Sequence, residues 1–512
     1  MSNAKITLKE KWGRFFLLVF AAVFLCIFLQ IVFFNSSFGY SVFIQGALLV
    51  VWLVFFALAA FWGYKNRPLL YAHRYKILLL VLLFVFCVQV WVGIVTKQQV
   101  NHDYGKVFNG AVMFATQGDV EEFYIYEAYL HHFTNNVGEF LFLQLLFKGM
   151  YAIGLPYYYE AAILLGHIFF TLAILFTFLY LNKAFGPGAA LLSLFFYVFY
   201  LPVYFQSSIA YTDTYSIWMP ALLLYCHKCA AGAARWKKIL LYVAIGAILA
   251  LGVQIKGTVL ITGIALVIEE LCAARWKRLV AMVLLAALSF GAFNGAINAY
   301  AYATILQAER VESDSMPITH WLMTGLTGDG AYNPTDEWVI TSSVAGQQAR
   351  TKLNLEIIKG RLTQMGPIGY LQLLHRKTCR TFGSGNGEVN YLLVREPNNP
   401  NHFIYQIIST EGKFFRYFDN LSHCVYLSFY IFSIAGVAVA LKKKNRAFTN
   451  NTAPFLALTG FYFFMMLWES NHRLLVNQWP LFIIAAAAGA GALLPKIYTR
   501  LPARKAKQKQ PL

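Results

Sequence analysis

The sequence predicts an all-α polytopic membrane protein with about twelve transmembrane helices, interfacial helices and an α-rich extracytoplasmic segment. Three observations indicate this class. Of the 512 residues, 59% are hydrophobic and only 13% are charged, a composition outside the range of soluble globular chains. Apolar runs long enough to cross a bilayer recur along the chain. Short loops rich in Lys and Arg separate many of these runs, as expected of cytoplasmic loops.

The basic loops set the predicted orientation. The loop from Tyr64 to Lys76 is basic and therefore cytoplasmic, which puts the loop that begins at Lys97 outside. With the later runs alternating, every strongly basic short loop and both termini lie in the cytoplasm. The formal charge of +19 is explained by these loops, so no nucleic-acid partner is predicted. The predicted spans are 15–35, 41–63, 76–96, 158–181, 188–206, 214–231, 239–254, 258–273, 280–303, 425–441, 453–468 and 475–494.

The same pattern divides the chain into six parts. Residues 137–155 are read as an interfacial helix on the outer face, because a span there would put the basic loops 235–238 and 275–278 on the wrong side. Polar composition with Gly and Asn turns marks the soluble segment. The parts are N-terminal transmembrane helices (1–96), a first large external loop with interfacial helices (97–157), a transmembrane core (158–303), an extracytoplasmic soluble segment (304–422), C-terminal transmembrane helices (423–496) and a basic cytoplasmic tail (497–512).

Asp103 is the predicted catalytic residue. It lies in the loop from Lys97 to Lys106, just past the third apolar run, with His102 and Tyr104 beside it as candidate substrate contacts. A carboxylate next to a bilayer is costly unless it lies in an aqueous, functional cavity. The alternative is an ordinary carboxylate of an exposed loop.

Four further charged residues fall at the outer ends of predicted spans and are candidate substrate contacts. Asp213 is alternatively an N-cap of the span after it, since Thr-Asp-Thr suits capping. Lys256 either binds a phosphate or is a lysine that extends its amine to the membrane surface. Glu469 and Arg473 are spaced i, i+4, so a local ion pair alone could account for them.

His320 and Trp321 open the soluble segment and suit contact with a sugar or a lipid headgroup, although a buried structural Trp fits equally. His131 and His132 begin the interfacial segment but lack a full ligand set at zinc-like spacing. No metal site and no cofactor are predicted with any specific ligand, and a divalent cation stays open.

Together these residues predict a reaction site at the outer face. A carboxylate can take a proton from a hydroxyl, cations can hold a phosphate as a bond to it breaks, and aromatic rings can contact a sugar or lipid. This chemistry is that of glycosyl transfer from a lipid-linked sugar phosphate.

The motifs resemble those of the GT-C superfamily of membrane glycosyltransferases, in particular the bacterial branch similar to protein O-mannosyltransferases and aminoarabinose transferases. The resemblance rests on His102-Asp103-Tyr104 in the first large external loop, the amphipathic stretch to Leu155, Asp213, Lys256 in Ile-Lys-Gly-Thr, and Glu469 to Arg473. It covers about three quarters of the chain through short motifs. Asp103-Tyr104 replaces the Asp-Glu pair of several branches, which puts metal involvement in doubt.

This resemblance implies an inverting transfer on the extracytoplasmic face of the cell membrane. Asp103 would deprotonate the acceptor, Lys256 and Arg473 would hold the donor phosphate, and Asp213 and His320 would contact sugar or acceptor. The implied partners are a polyprenyl-phosphate sugar donor, membrane lipid, and a glycan, glycolipid or protein acceptor of the cell envelope.

Other functions fit parts of the pattern. A transporter or a flippase for lipid-linked sugars would also have about twelve spans, but transporters carry binding residues near the middle of their spans, where His167 is the main ionisable residue here. A cell-wall scaffold would tolerate loss of Asp103, and an oligosaccharide polymerase or ligase should have a more arginine-rich external loop.

Overall fold

The computed structural model describes residues 8–35, 37–118 and 123–500 of the chain, and the side chains up to residue 494. Over these ranges the regular secondary structure is helical, apart from an isolated antiparallel bridge between Gln98 and Pro397. The prediction of an all-α chain is therefore confirmed.

The α-helices are numbered in chain order. They are α1 Leu8–Phe33, α2 Val42–Lys65, α3 Arg67–Ala72, α4 Arg74–Val95, α5 His102–Thr116, α6 Tyr124–His132, α7 Val137–Ala152, α8 Tyr158–Ala184, α9 Pro187–Phe199, α10 Pro202–Gln206, α11 Thr212–Ser216, α12 Met219–Ala230, α13 Arg235–Ile255, α14 Val259–Cys272, α15 Trp276–Thr304, α16 Ala308–Asp314, α17 Ile318–Thr324, α18 Gln347–Phe382, α19 Val389–Leu392, α20 Tyr405–Ile408, α21 Phe415–Lys442, α22 Arg446–Thr449, α23 Ala453–Leu467 and α24 Trp479–Arg500.

Within the described ranges, eight helical segments are long and apolar enough to cross a membrane. They correspond to eight of the predicted spans. The other four predicted spans are the shorter helices α9, α12, α14 and α23, of 12 to 15 residues. The eight segments are Leu8–Phe33, Val42–Lys65, Arg74–Val95, Tyr158–Ala184, Arg235–Ile255, Trp276–Thr304, Phe415–Lys442 and His472–Leu494.

Prolines account for two of the shortened helices. The predicted span 188–206 divides before Pro202, and the predicted span 214–231 divides before Pro220. Proline disfavours helical backbone at the residue before it and lacks the N–H that would continue the ladder. Hydropathy does not register such a break, because the flanking residues are equally apolar.

The last span is the centre of the bundle. In the segment His472–Leu494, 89% of the apolar window is buried, compared with 17% in α2. It crosses α21 at a glycine pair so close that a Cβ on Gly436 would lie 2.1 Å from the Cα of Gly489. Small residues allow helices to approach this closely in membranes. Because Arg473 stands at the start of this buried segment, its position is fixed by the most packed part of the protein.

The predicted soluble segment lies between α15 and α21 and contains a long kinked helix. Helix was predicted for Val344–Arg361, and α18 extends it to 36 residues with a break at Gly366, whose φ is 60°, just before Pro367. α21 begins at Phe415, before the predicted start of that span at 425, and the predicted end of the soluble segment at 422 stays a prediction. The side of the membrane and the interfacial placement of α7 stay predictions, and 501–512 of the predicted tail lies outside the described residues.

Candidate functional site

A single large cavity brings the candidate residues together. Its volume is about 2590 Å³, and its wall is formed by α5, α6, α17, the ends of α13 and α23, and the loops around them. Asp213 lies just behind this wall and is 1% exposed. Eight of the nine candidates line the cavity: His102, Asp103, Tyr104, Lys256, His320, Trp321, Glu469 and Arg473.

Asp103 stands in the first turn of α5, so its predicted placement in the middle of a loop is wrong. The loop ends at Asn101, and His102 begins the helix with a φ of 54°, a left-handed value that is uncommon outside glycine. A carboxylate in the first helical turn is stabilised by the helix dipole. The side chain of Asp103 is exposed in the cavity and makes no hydrogen bond or ion pair with the described part of the chain.

The neighbours of Asp103 differ in exposure. Tyr104 is 4% exposed and its hydroxyl accepts a hydrogen bond from Gln98 Nε2 at 2.9 Å. Burial raises the pKa of Tyr104 to about 12, so this hydroxyl stays protonated. His102 is exposed, and both burial and the nearby Arg395 lower its pKa. Tyr104 therefore anchors the start of α5, while His102 and Asp103 face the cavity.

Three candidates that are far apart in sequence meet at the cavity wall. Lys256 Nζ lies 2.8 Å from Asp213 Oδ1, and Arg473 Nε lies 3.3 Å from Asp213 Oδ2. We call Lys256 and Arg473 the cation pair. The alternative of Asp213 as an N-cap is wrong, because α11 begins after Tyr211 without a side-chain cap. Instead, Asp213 holds both cations next to the cavity.

The suggested local pair between Glu469 and Arg473 is also wrong. Trp468 and Asn471 have extended backbones, so residues 469 and 473 do not lie one above the other on a helix. The ion pair of Arg473 within the described residues is the one with Asp213. Burial raises the pKa of Glu469 to about 7, against the lowering effect of the Arg473 and Lys256 charges, and the charge of Asp103 adds to the rise.

His320 and Trp321 have different environments. His320 is 2% exposed and its Nδ1 lies 3.0 Å from Thr341 Oγ1. Burial lowers the pKa of His320 to about 4, so it is neutral at pH 7. Trp321 is half-buried and stacks on Trp468 with ring centroids 5.5 Å apart and planes 9° apart.

Sequence reasoning missed Tyr332, Glu337 and Trp338, which also line the cavity. Glu337 is 3% exposed, and burial raises its pKa to about 7. A signal was present in the sequence, since Asp336-Glu337-Trp338 follows the turn residues Asn333-Pro334 after Thr335. An acidic pair beside a Trp after a turn is a reasonable candidate for a ligand contact.

Of the two histidines considered as metal ligands, His131 is hydrogen-bonded through both ring nitrogens, whereas the buried Nε2 of His132 has no hydrogen-bond partner among the described residues. His131 Nδ1 lies 2.7 Å from the Glu127 carbonyl, and its Nε2 accepts the Gln307 N–H at 2.9 Å. Both ring nitrogens are thereby used. His132 stacks on Trp338. Among the described residues, the one group with metal-ligand spacing is His227, Glu269 and Glu270, which does not line the cavity.

A helical bundle with eight candidate spans and a polar cavity at the ends of several helices defines a polytopic membrane protein. The chain belongs to a family described as "conserved hypothetical integral membrane protein", whose model matches residues 3–492. That assignment confirms the membrane class of the chain.

Among solved structures, the chain is similar to ArnT from Cupriavidus metallidurans, whose crystal structure has undecaprenyl phosphate bound. The match has 16% identity and a TM-score of 0.31, and it covers 82% of this chain and 78% of ArnT. No curated protein matches the sequence.

Proposed function

We propose that this protein is an inverting glycosyltransferase that moves a sugar from a polyprenyl-phosphate donor to an acceptor on the extracytoplasmic face of the membrane. One observation carries the proposal: the exposed, unpaired carboxylate of Asp103 shares a cavity with the cation pair Lys256 and Arg473. A group that can take a proton and groups that can hold a phosphate therefore stand in one site.

The cation pair supports binding of the donor phosphate. Asp213 contributes one negative charge against the two positive charges of Lys256 and Arg473, so this trio has a net charge of about +1. Arg473 also lies over the ring of Tyr211, with 4.8 Å from its guanidinium carbon to the ring centroid. These contacts orient the cations before a ligand arrives, which lowers the cost of binding an anion.

In the proposed reaction, a carboxylate oxygen of Asp103 takes the proton of the acceptor hydroxyl. The acceptor oxygen forms a bond to the anomeric carbon as the bond from that carbon to the phosphate oxygen breaks. The electron pair leaves with the polyprenyl phosphate, and Lys256 and Arg473 stabilise the negative charge that develops on it. A single displacement inverts the anomeric configuration.

The burial of Asp213, His320 and Glu469 bears on the sugar and acceptor contacts proposed for them. Asp213 was proposed to touch sugar or acceptor, but at 1% exposure it is better suited to positioning the cation pair. His320 is almost as buried and is bonded to Thr341. Glu469, whose pKa is about 7, lines the cavity and is proposed to bind a sugar hydroxyl.

The test is sugar transfer in membranes that contain wild type or Asp103→Asn, supplied with a panel of radiolabelled undecaprenyl-phosphate hexoses. Loss of a general base should slow transfer by about 10²–10⁴-fold. Glu309→Gln is the matched control, because Glu309 is also an exposed carboxylate in a first helical turn but does not line the cavity.

Transfer by wild type and Glu309→Gln, but not by Asp103→Asn at equal expression, would support the proposal and identify the donor. Equal turnover by Asp103→Asn would exclude Asp103 as the base. No turnover of any donor by any variant would contradict the transferase, and flux of lipid-linked sugars across vesicles would then test the flippase alternative.

A further inference from the structure

The segment from Tyr332 to Trp338 exposes large aromatic side chains in the cavity. Tyr332 is 51% exposed and Trp338 is 58% exposed, and both line the cavity wall. Neither ring belongs to the buried core of the soluble segment. Exposed aromatic rings at a concave polar site are typical of ligand contacts rather than of packing.

The ring of Trp338 is held in one orientation. It stacks on His132 with centroids 5.1 Å apart and planes 6° apart. Burial lowers the pKa of His132 to about 4, so the contact at neutral pH is between two uncharged rings. One face of the indole is covered by the imidazole. The exposed part of the Trp338 ring leaves surface for a flat apolar partner.

The two adjacent carboxylates of this segment have different partners. Asp336 is 0% exposed and forms a two-pronged ion pair with Arg361, with Asp336 Oδ2 2.8 Å from Arg361 Nη1. That pair anchors the segment to α18. Glu337 has no ion pair within the described residues and lines the cavity. Its carboxylate is hydrogen-bonded to the Tyr332 hydroxyl, so Glu337 and Tyr332 form a polar pair at the cavity wall to which a ligand hydroxyl can bond.

Tyr332, Glu337 and Trp338 line the same cavity as the proposed base, Asp103. Residues Thr335–Ile340 form a π-helical turn, a conformation that occurs frequently at functional sites. The charge of Asp103 is near enough to raise the pKa of both Glu337 and Tyr332. A ligand held on this segment would consequently share the cavity with Asp103.

We propose that Tyr332, Glu337 and Trp338 form the acceptor subsite and that the acceptor is a carbohydrate. The inference rests on the proposed function and specifies its acceptor. A pyranose has a flat C–H face that packs on an aromatic ring and hydroxyls around its edge that bond to a carboxylate. Trp338 meets the first requirement and Glu337 the second, with Tyr332 adding a further ring and hydroxyl.

The test is saturation-transfer NMR on the full chain in lipid nanodiscs. The probes are methyl glycosides of glucose, galactose, mannose and N-acetylglucosamine, and a Ser/Thr-containing peptide of similar mass. The variants are Trp338→Ala, Trp338→Phe and Glu337→Gln. Trp276→Ala is the control, because Trp276 is 59% exposed but does not line the cavity.

We expect at least one glycoside to bind wild type and Trp276→Ala with saturation on its ring C–H protons. Trp338→Ala should weaken that binding about tenfold or more, Trp338→Phe should restore most of it, and Glu337→Gln should weaken it less. Excess undecaprenyl phosphate should not displace the glycoside.

Three results would overturn the inference: no glycoside binds, binding is unchanged in Trp338→Ala, or the peptide binds at this segment in place of every glycoside. Displacement by undecaprenyl phosphate would assign the segment to the donor and would also count against it. Because binding is measured without turnover, a failure of the transfer assay with glycoside binding intact would reject the transferase and keep a carbohydrate site.

Discussion

The cavity and a second charged cluster show how differently this bundle uses buried charge. The second cluster, which we call the paired cluster, contains His227, Glu269, Glu270 and Arg278. Glu270 Oε1 lies 2.9 Å from His227 Nε2 and 3.1 Å from Arg278 Nη2. Glu269 accepts the backbone N–H of Ala453 at 2.7 Å at the start of α23.

Both sites contain carboxylates, cations and a histidine, so composition does not separate them. What differs is where the partners are. Each carboxylate of the paired cluster has a partner within the protein, although Glu270 Oε2 has none among the described residues. A cation there would compete with Arg278. In the cavity, Asp103 faces open space without a partner in the described chain. A charge whose partners are internal stabilises the fold, whereas one without them is available to a ligand.

The cavity and the second cluster should differ most in stability when one arginine is removed from each. Arg473→Met leaves the buried Asp213 with Lys256 alone, and breaking a buried pair costs about 3–5 kcal/mol. Arg278→Met should cost about 1–3 kcal/mol, because Glu270 keeps His227 and has Arg275 at 3.7 Å. Thermal unfolding of the purified variants measures both, and equal shifts would contradict the distinction.

A pH effect on stability should follow from Glu337. Its pKa of about 7 in the folded chain is above the ordinary value of 4.5, so the folded state holds its proton more tightly than the unfolded state. The contribution of Glu337 to the free energy of unfolding is fully present below pH about 4.5. It is lost as the pH rises through 7, by up to about 3 kcal/mol. Glu337→Gln should flatten the melting temperature between pH 5 and about 8; an unchanged slope would refute this origin.

The smallest effect in the series should be that of Glu270→Gln. The amide keeps the shape and one acceptor oxygen but loses the charge that His227 and Arg278 contact, so stability should fall by about 1–2 kcal/mol. Because Glu270 is remote from the cavity lining, sugar transfer per folded molecule should match wild type. A loss of transfer at equal folded protein would show that the two sites are coupled.

The sequence predicted the helical membrane class because hydropathy and basic loops are local signals. The same signals overestimated the lengths of two spans, since they do not register the proline breaks before Pro202 and Pro220. They also gave Asp213 a local role as a cap. Its contacts with Lys256 and Arg473 link residues that are distant along the chain, and such pairing depends on how the helices pack.

The sequence likewise predicted some residues of the candidate site and missed others. Asp103, Lys256 and Glu469 stood out as charges beside apolar runs, and the structure places them around one cavity. Glu337 did not stand out, because it lies in a polar segment where acidic residues are ordinary. Its raised pKa comes from burial created by the fold, and the adjacent Asp336 carries an identical charge with a purely structural partner.

The size of the cavity bears on whether donor and acceptor bind at the same time in the proposed transfer. At about 2590 Å³, it exceeds the roughly 300–1,000 Å³ typical of a pocket for one small ligand. Donor headgroup and acceptor can therefore occupy it together, as a direct displacement demands. Steady-state kinetics should show a ternary complex rather than a ping-pong pattern. A compound that joins a prenyl phosphate to a sugar would then inhibit more strongly than either half alone.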